Sequence, residues 1–438
     1  MNEAAGSQAQ AAAREDSGKK IVVVGGGFGG AALIRTLQNH LPADASQLWI
    51  SEESYTIFNP MLAEVVGASI FPEHVVAPLQ QVLRQTGRCR FVMGRVQGVD
   101  WERWEIICES LSGESRFSFD HLALAFGSRA RNDFIPGLAD HALPLKTVGD
   151  ALEIRNTALR RVARMELEPD RETRALLGGF IVIGGGFSGV ELAGALIDCL
   201  KSIGFYYPRA DMDLIRVTLI QDRERLLPEL PESLGAAAAK SLMRRGVQVK
   251  LGVRAVEASA SGVVLDDGER IDGGSVISTI GTMPNPLVSS LGLPAERGRI
   301  VVNPDLSVRE RPGVWAIGDC ALVINARDGA PRPPTAQFAV RQGLHLARNL
   351  LLNLGGEATA PFSYRERGSL ATVGYLNGVA RVFGVSLTGL PAWLLWRSYY
   401  LAQMPTFGRK LRNFVEWTWG MFFRADITHL RFTKSRDL

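Results

Sequence analysis

The chain has 438 residues, enough for two or three domains at about 100 to 200 residues each, so a short peptide or a single small module is excluded. Hydrophobic residues make up 46% and charged residues 21%, close to globular averages, which argues against wholesale disorder and against a polytopic membrane protein. Forty-nine basic residues against 45 acidic ones leave a net charge of +4, too mild over this length to make nucleic acid the main partner.

In chain order, residues 1–18 are rich in Ala and Gln, lack the apolar core of a secretory signal, and read as a disordered tail. Ile21 to Val24 is a β-branched run that predicts a strand. It meets Gly25-Gly26-Gly27-Phe28-Gly29-Gly30, after which Ala31 to Leu41 turns helical. The spacing of Gly25, Gly27 and Gly30 matches GxGxxG, in which the glycines permit a tight turn, close approach of backbone to a pyrophosphate, and close helix–strand packing. Amides at the helix start then receive the negative charge. An acidic residue usually ends the following strand and binds the adenosine ribose. Here Leu48-Trp49-Ile50 ends at Ser51, with Glu52 and Glu53 beyond, and Glu52 is the candidate ribose partner.

The same grammar recurs. Leu122 to Phe126 is an apolar strand ending in Gly127, and Phe180 to Ile183 is a strand leading into Gly184-Gly185-Gly186-Phe187-Ser188-Gly189 and a helix from Val190 to Leu200. Gly184, Gly186 and Gly189 repeat the spacing, and two accidents of this kind in one chain are improbable. The second unit ends after Val217-Thr218-Leu219-Ile220 at Gln221, with Asp222, Arg223 and Arg225 following. An amide accepts a ribose hydroxyl without repelling a 2′-phosphate, so NADPH stays open beside NADH; the plain alternative is a solvated turn. Thr279-Ile280-Gly281 and Val314 to Ile317, followed by Gly318-Asp319, mark further strand exits.

The layout resembles the two-dinucleotide-binding-domain flavoproteins, in which FAD takes the first fold and NAD(P)H the second. That resemblance implies that Asp319 hydrogen-bonds the ribityl or pyrophosphate portion of the flavin, with Gly127 and Gly281 beside the cofactors. Disulfide reductases of this group need a CxxC or CxxxxC pair. Cys89, Cys108, Cys199 and Cys320 form no such pair and no metal-type spacing, so no metal is expected and a reducing compartment fits better than a disulfide framework. Cys320 reads as a small buried residue.

Phe58-Asn59-Pro60-Met61-Leu62-Ala63-Glu64-Val65, Leu143 to Thr147, Pro334-Thr335-Ala336-Gln337-Phe338-Ala339 and Gly368 to Gly374 are similar to type II NADH dehydrogenases, the non-pumping NADH:quinone oxidoreductases. The similarity runs from about Lys20 to Phe432. It implies that Ala336 and Gln337 contact the quinone headgroup, that Glu191 faces the nicotinamide, and that Glu191 and Gln337 serve catalysis. Each has a plainer reading: Glu191 lies early in a helix where the dipole favours a carboxylate, and Gln337 could bridge backbone where the helix from Ala339 to Leu352 begins. The chain departs from the family in carrying Asn377 where a basic residue is common.

From Leu390 onward the composition turns interfacial. Trp393, Trp396, Trp417 and Trp419 are half of the eight tryptophans, and eight Lys or Arg face three Asp or Glu. Pro391 opens a candidate helix with Trp393, Trp396, Tyr400, Leu401 and Met404 at helical spacing, interrupted by Arg397 and broken by Pro405 and Gly408. A second candidate, Arg409 to Phe423, places Leu411, Phe414, Val415, Thr418, Met421 and Phe422 on one side. Such helices read as a monotopic membrane anchor, the alternative being a dimer interface. No uncharged apolar run is long enough to predict a transmembrane helix.

The expected fold is α/β, with two doubly wound Rossmann-like domains and a C-terminal amphipathic helical membrane-anchoring region. Its expected parts are a tail (1–18), a FAD-binding domain in two pieces (19–149 and 282–360), an NAD(P)H-binding domain (150–281) and a dimer or membrane region (361–438). The expected activity is hydride transfer from NADH to FAD and then two electrons to a membrane quinone, by a peripheral homodimer on the cytoplasmic face of the plasma membrane. The alternative is a soluble NAD(P)H-dependent flavin reductase serving a small redox protein or another soluble acceptor.

Overall fold

The computed structural model describes residues 18–84, 87–131, 133–366, 368–404, 406–423 and 428–429. Residues 1–17 of the expected tail, and Pro405, lie outside the described residues. The chain divides into two compact units. The first holds the described residues up to Thr56, with Pro78–Arg129 and Met283–Glu366; the second holds Ile57–Ala77, Ala130–Thr282 and the described residues from 368 on.

In the first unit, Lys19–Val24 is buried along Ile21, Val22, Val23 and Val24, as suits a parallel strand covered on both faces. It pairs in parallel with Ala45–Ser51 on one side and His121–Leu124 on the other, with Val22 opposite both Leu48 and Leu122. The full sheet has seven strands in the order Val314–Ala316, His121–Leu124, Lys19–Val24, Ala45–Ser51, Cys89–Asp100, Glu105–Ser110 and Gly113–Ser118. Its last two strands join antiparallel, an extension that the sequence analysis did not anticipate. The helices Phe28–Leu37 and Ala336–Leu354 pack together, and a methyl at Gly343 would overlap the Gly29 carbonyl.

The second unit has its own five-stranded parallel sheet, ordered Ala142–Pro144, Ser275–Ser278, Gly179–Ile183, Arg216–Gln221 and Val247–Leu251. The helix Val148–Met165 starts at a capping box, in which the Thr147 hydroxyl accepts from the Asp150 amide and the Asp150 carboxylate accepts from the Thr147 amide. Beyond the sheet, the antiparallel strands Gly368–Thr372, Gly378–Val382 and Val385–Thr388 lead into the helices Leu390–Gln403 and Phe407–Trp419.

Here the C-terminal expectation needs correction. Trp393 and Trp396 are each 1% exposed, and Met404 and Trp417 are also buried. The first helix thus turns its tryptophans into the second unit, where it packs on the strand Gly378–Val382, and leaves Leu394 and Tyr399 outside. Arg397 does not interrupt an apolar face. Its guanidinium sits 3.8 Å from the Trp393 ring centroid and 4.8 Å from that of Trp417, and it donates to the Trp417 carbonyl. The second helix begins at Phe407, capped by the Thr406 hydroxyl, so Gly408 lies inside its first turn instead of breaking the chain. Its outer side keeps Leu411, Phe414, Val415 and Trp419 exposed, beside Phe407 and Phe422. Among the described residues no helix is long and apolar enough to cross a membrane.

The two faces of the Leu390–Gln403 helix should respond differently to truncation. Trp393→Ala is expected to lower unfolding stability by about 3–5 kcal/mol, whereas Leu394→Ser should stay within about 0.5 kcal/mol of wild type in denaturant titrations. Equal effects would contradict the burial of Trp393.

Candidate active site

Two glycine turns are built alike. Gly25 has φ +111° and Gly184 has φ +107°, a region that only glycine enters without strain. A methyl at Gly30 would overlap the Gly25 carbonyl, and one at Gly189 would overlap the Gly184 carbonyl, so each turn is compressed against the helix that follows. A methyl at Gly27 or Gly186 would meet nothing, because both face open space. Each turn is also pinned by one side chain. The Trp49 indole donates to the Gly25 carbonyl at 2.9 Å, and the Thr279 hydroxyl donates to the Ile183 and Gly184 carbonyls at 2.8 and 3.0 Å.

The helices that follow, Phe28–Leu37 and Phe187–Gly204, have no side-chain cap and no acidic residue in the first turn. Other helices are capped by Thr147, Asp170, Thr335 and Thr406. Amides left for an external anion, beside open space, fit a dinucleotide pyrophosphate.

Around the first turn, Gly127 has φ +69° and is followed by Ser128, whose hydroxyl donates to Asp319 at 2.7 Å. Asp319 lies in the short turn Gly318–Cys320 directly after the strand Val314–Ala316, and the Gln342 side chain accepts from the Gly318 amide at 2.7 Å. Ser51 is buried against the turn: a side chain at Gly26 would strike its hydroxyl. Glu52 is exposed and pairs with Arg129 at 2.8 Å.

Around the second turn, Gln221 is buried and its side-chain oxygen accepts from the Gly185 amide at 2.8 Å, so one acceptor site of that oxygen is used by the turn itself. Its nitrogen donates to the Arg225 carbonyl at 3.5 Å. Gly281 has φ +94°.

Ala336 and Gln337 open the helix Ala336–Leu354. The Gln337 amide nitrogen donates to the Tyr364 hydroxyl at 2.9 Å, so its partner is a side chain and not the backbone of the entering loop. Tyr364 stands edge-on to Phe338, with ring centroids 5.7 Å apart, and under the Arg341 guanidinium at 5.4 Å. Sequence reasoning missed Tyr364, which sits outside every motif.

Glu191 is 7% exposed in the middle of a polar cluster within the second unit. One carboxylate oxygen accepts from the Thr372 amide at 3.1 Å and from the Trp396 indole at 3.0 Å. A second buried carboxylate, Glu64, accepts from the Ser69 hydroxyl at 2.5 Å and lies 3.9 Å from Arg397. Burial pushes the Glu191 pKa up to about 8; the two hydrogen bonds oppose this and the Glu64 charge adds to it. Tyr400 is likewise pushed up, by burial first and by Glu191 second. The setting of Glu191 is therefore burial, not the dipole of an exposed helix start. Glu64, Trp396 and Arg397 went unassigned because their meeting with Glu191 depends on segments far apart in the chain.

The thiols take no part in redox pairing. All four cysteines are free, and burial pushes those of Cys199 and Cys320 up to about 12.

The family model of the pyridine nucleotide-disulphide oxidoreductases matches residues 19–343. The chain belongs to this family. Within it, the chain is 28% identical over 404 residues to the type II NADH:quinone oxidoreductase Ndh of Mycobacterium tuberculosis, an alignment covering 89% of this chain and 85% of that protein. It is 29% identical over 414 residues to the mitochondrial internal alternative NAD(P)H-ubiquinone oxidoreductase A1 of Solanum tuberosum, covering 87% of this chain and 82% of the relative. Its fold is that of NDH2 from Plasmodium falciparum, solved in complex with NADH, with a TM-score of 0.87, 17% identity, and coverage of 94% of this chain and 99% of that one. The disulphide chemistry in the family name finds no cysteine pair here.

The Glu191 environment predicts a pH dependence. Because its folded pKa of about 8 lies above the ordinary 4.5, the folded state holds a proton that the unfolded chain has released across that window. Stability should fall as pH rises from about 4.5 to about 8 and level off above it. Glu191→Gln should flatten that fall in denaturant titrations run at a series of pH values. An unchanged slope would show that Glu191 is ionised at neutral pH.

Proposed function

We propose that this chain is a type II NADH dehydrogenase, an FAD-dependent NAD(P)H:quinone oxidoreductase that moves no protons across a membrane. The observation that carries the reading is the pair of matching open glycine cradles in one chain that holds no redox cysteine pair. The relatives named NADH:quinone oxidoreductase, aligned over most of both chains, support the acceptor.

Gly25, Gly27 and Gly30, with Gly127 and Asp319, would hold FAD; Gly184, Gly186 and Gly189, with Gln221 and Gly281, would hold NADH. When bound, these cofactors supply hydride transfer from the nicotinamide to the flavin and two-electron reduction of the quinone. The residues do the rest. Uncapped amides at Phe28 and Phe187 receive the pyrophosphates, and each compressed turn keeps those amides aimed without reorganisation. Asp319, fixed by the Ser128 hydroxyl, presents a carboxylate to a cofactor hydroxyl. Glu52, displaced by one residue from the usual ribose position, is the proposed partner of the first adenosine.

Glu191, protonated near neutral pH, holds a proton at its carboxyl group for exchange with the reacting centre. Gln337 donates to Tyr364, which leaves the phenol proton available to a quinone carbonyl beside Ala336. The exposed apolar side of Phe407–Trp419, flanked by Lys410 and Arg412, suits a bilayer surface, where a lipid-soluble quinone is found. The proposed setting is peripheral, on the cytoplasmic face of the plasma membrane, and the same surface also suits a homodimer contact.

Two measurements test this reading. In anaerobic visible spectra, the flavin bands of the purified protein should bleach with NADH and return when a short-chain quinone is added; bleaching without recovery would move the acceptor to a soluble redox partner. Gln221→Glu keeps an acceptor for the Gly185 amide and adds charge near the ribose. It should raise the kcat/KM preference for NADH over NADPH about tenfold or more. An unchanged ratio would place Gln221 away from the ribose.

A further inference from the structure

We propose that the second unit carries an oxyanion-binding cleft, separate from its dinucleotide cradle, for a small carboxylate or phosphomonoester with an apolar body. The cleft has a volume of about 450 Å³, in the range of small-molecule sites, and is walled by Arg160, Arg161 and Arg164, by Ser275, and by the apolar Leu177 and Val276.

Its position sets it apart from the cradle. Ser275 opens the strand Ser275–Ser278 and lies opposite Phe180 near the amino end of Gly179–Ile183, while Gly184 follows the carboxyl end of that strand. At about 3.3 Å per residue, roughly 13 Å of sheet lies between them. Dinucleotides in such sheets bind at the carboxyl ends, so this amino-end cleft is not the nucleotide site under another description.

Three features of the cleft ask for an anion. First, three arginines from the carboxyl-terminal part of one helix line the cleft. Arg160 is drawn to Glu153 at 2.7 Å and Arg164 to Glu168 at 3.8 Å, but among the described residues no carboxylate pairs with Arg161, which instead donates to the Gly274 carbonyl. Second, burial and the neighbouring charges of Arg164 and Arg160 pull the Arg161 pKa below its usual value, the mark of cations lacking a negative partner. Third, Ser275 lines the cleft and is 4% exposed, and its buried hydroxyl has no hydrogen-bond partner among the described residues. Buried hydroxyls are nearly always paired, and a bound oxyanion supplies the missing acceptor. A helix dipole accounts for one arginine in the last turn, Arg164, but not for a half-buried Arg161 without a carboxylate partner among the described residues. The apolar wall of Leu177 and Val276 then selects an anion with a hydrophobic body over a bare ion.

The test is isothermal titration of the purified full-length protein, held in saturating NADH, with phenyl phosphate, benzoate and inorganic phosphate in turn. Phenyl phosphate or benzoate should bind at one site per chain. The Arg160→Gln/Arg164→Gln double variant, altered at exposed positions, should weaken that binding about tenfold or more. Ser275→Ala, which removes the hydroxyl proposed to meet the oxyanion, should weaken it as well. Heats that are absent for every probe, or that are unchanged in the double variant, would overturn the site. Inorganic phosphate binding as tightly as phenyl phosphate would overturn the apolar body.

Discussion

A carboxylate shut away from water must be hydrogen-bonded, paired or neutral, and the second unit is arranged around meeting that demand at Glu191. The Thr372 amide and the Trp396 indole reach it from a strand and a helix that lie 181 and 205 residues further along the chain. Satisfying Glu191 therefore draws the C-terminal strands and the Leu390–Gln403 helix into the unit that contains the second glycine turn. Once Trp396 points inward, Trp393 and Arg397 follow on the same side, and Trp417 closes over the guanidinium. The apolar residues left outside belong mainly to the Phe407–Trp419 helix and the residues up to Phe423 that follow it, which is why the exposed surface is narrower than the aromatic composition alone suggests.

The same cluster joins structure to chemistry. Removing water raises the Glu191 pKa to about 8, which suits the proton exchange proposed for it. Arg397 lies beside Glu64, and among the described residues no cation pairs with Glu191, in keeping with its raised pKa. At the other unit, Gln337 and Tyr364 form a second proton-bearing pair built from neutral groups. Gln337 stands on the helix Ala336–Leu354, whereas Tyr364 comes from the irregular stretch that precedes the strand Gly368–Thr372.

The glycine turns are a contrasting case in which backbone alone makes the site. Their positive φ values, the missing side chains at Gly30 and Gly189, and the absence of side-chain caps at Phe28 and Phe187 all serve one end: to leave amides open to an anion. The Arg161 cleft handles anions by the opposite means, with guanidiniums and a lone hydroxyl at the other end of the same sheet. A single five-stranded sheet thus presents two anion-seeking ends of different chemistry.

Local rules carried much of this into the sequence itself. A β-branched run, a glycine turn and a helix are neighbours in the chain, so both cradles, the strand exits at Gly127 and Asp319, and the lack of paired cysteines could be read without any tertiary information. Helix positions were legible as well, although capping by Thr406 moved one start to Phe407. What the fold alone decided were meetings between distant residues. The side-chain oxygen of Gln221 turns to Gly185, Gln337 finds Tyr364, Glu191 finds Trp396, and the tryptophans of the C-terminal helix turn inward. Helical spacing shows which side chains share a face, but not whether that face meets water, lipid or its own protein. That choice rests on long-range packing and on the cost of an unsatisfied buried charge, and neither is written in local sequence.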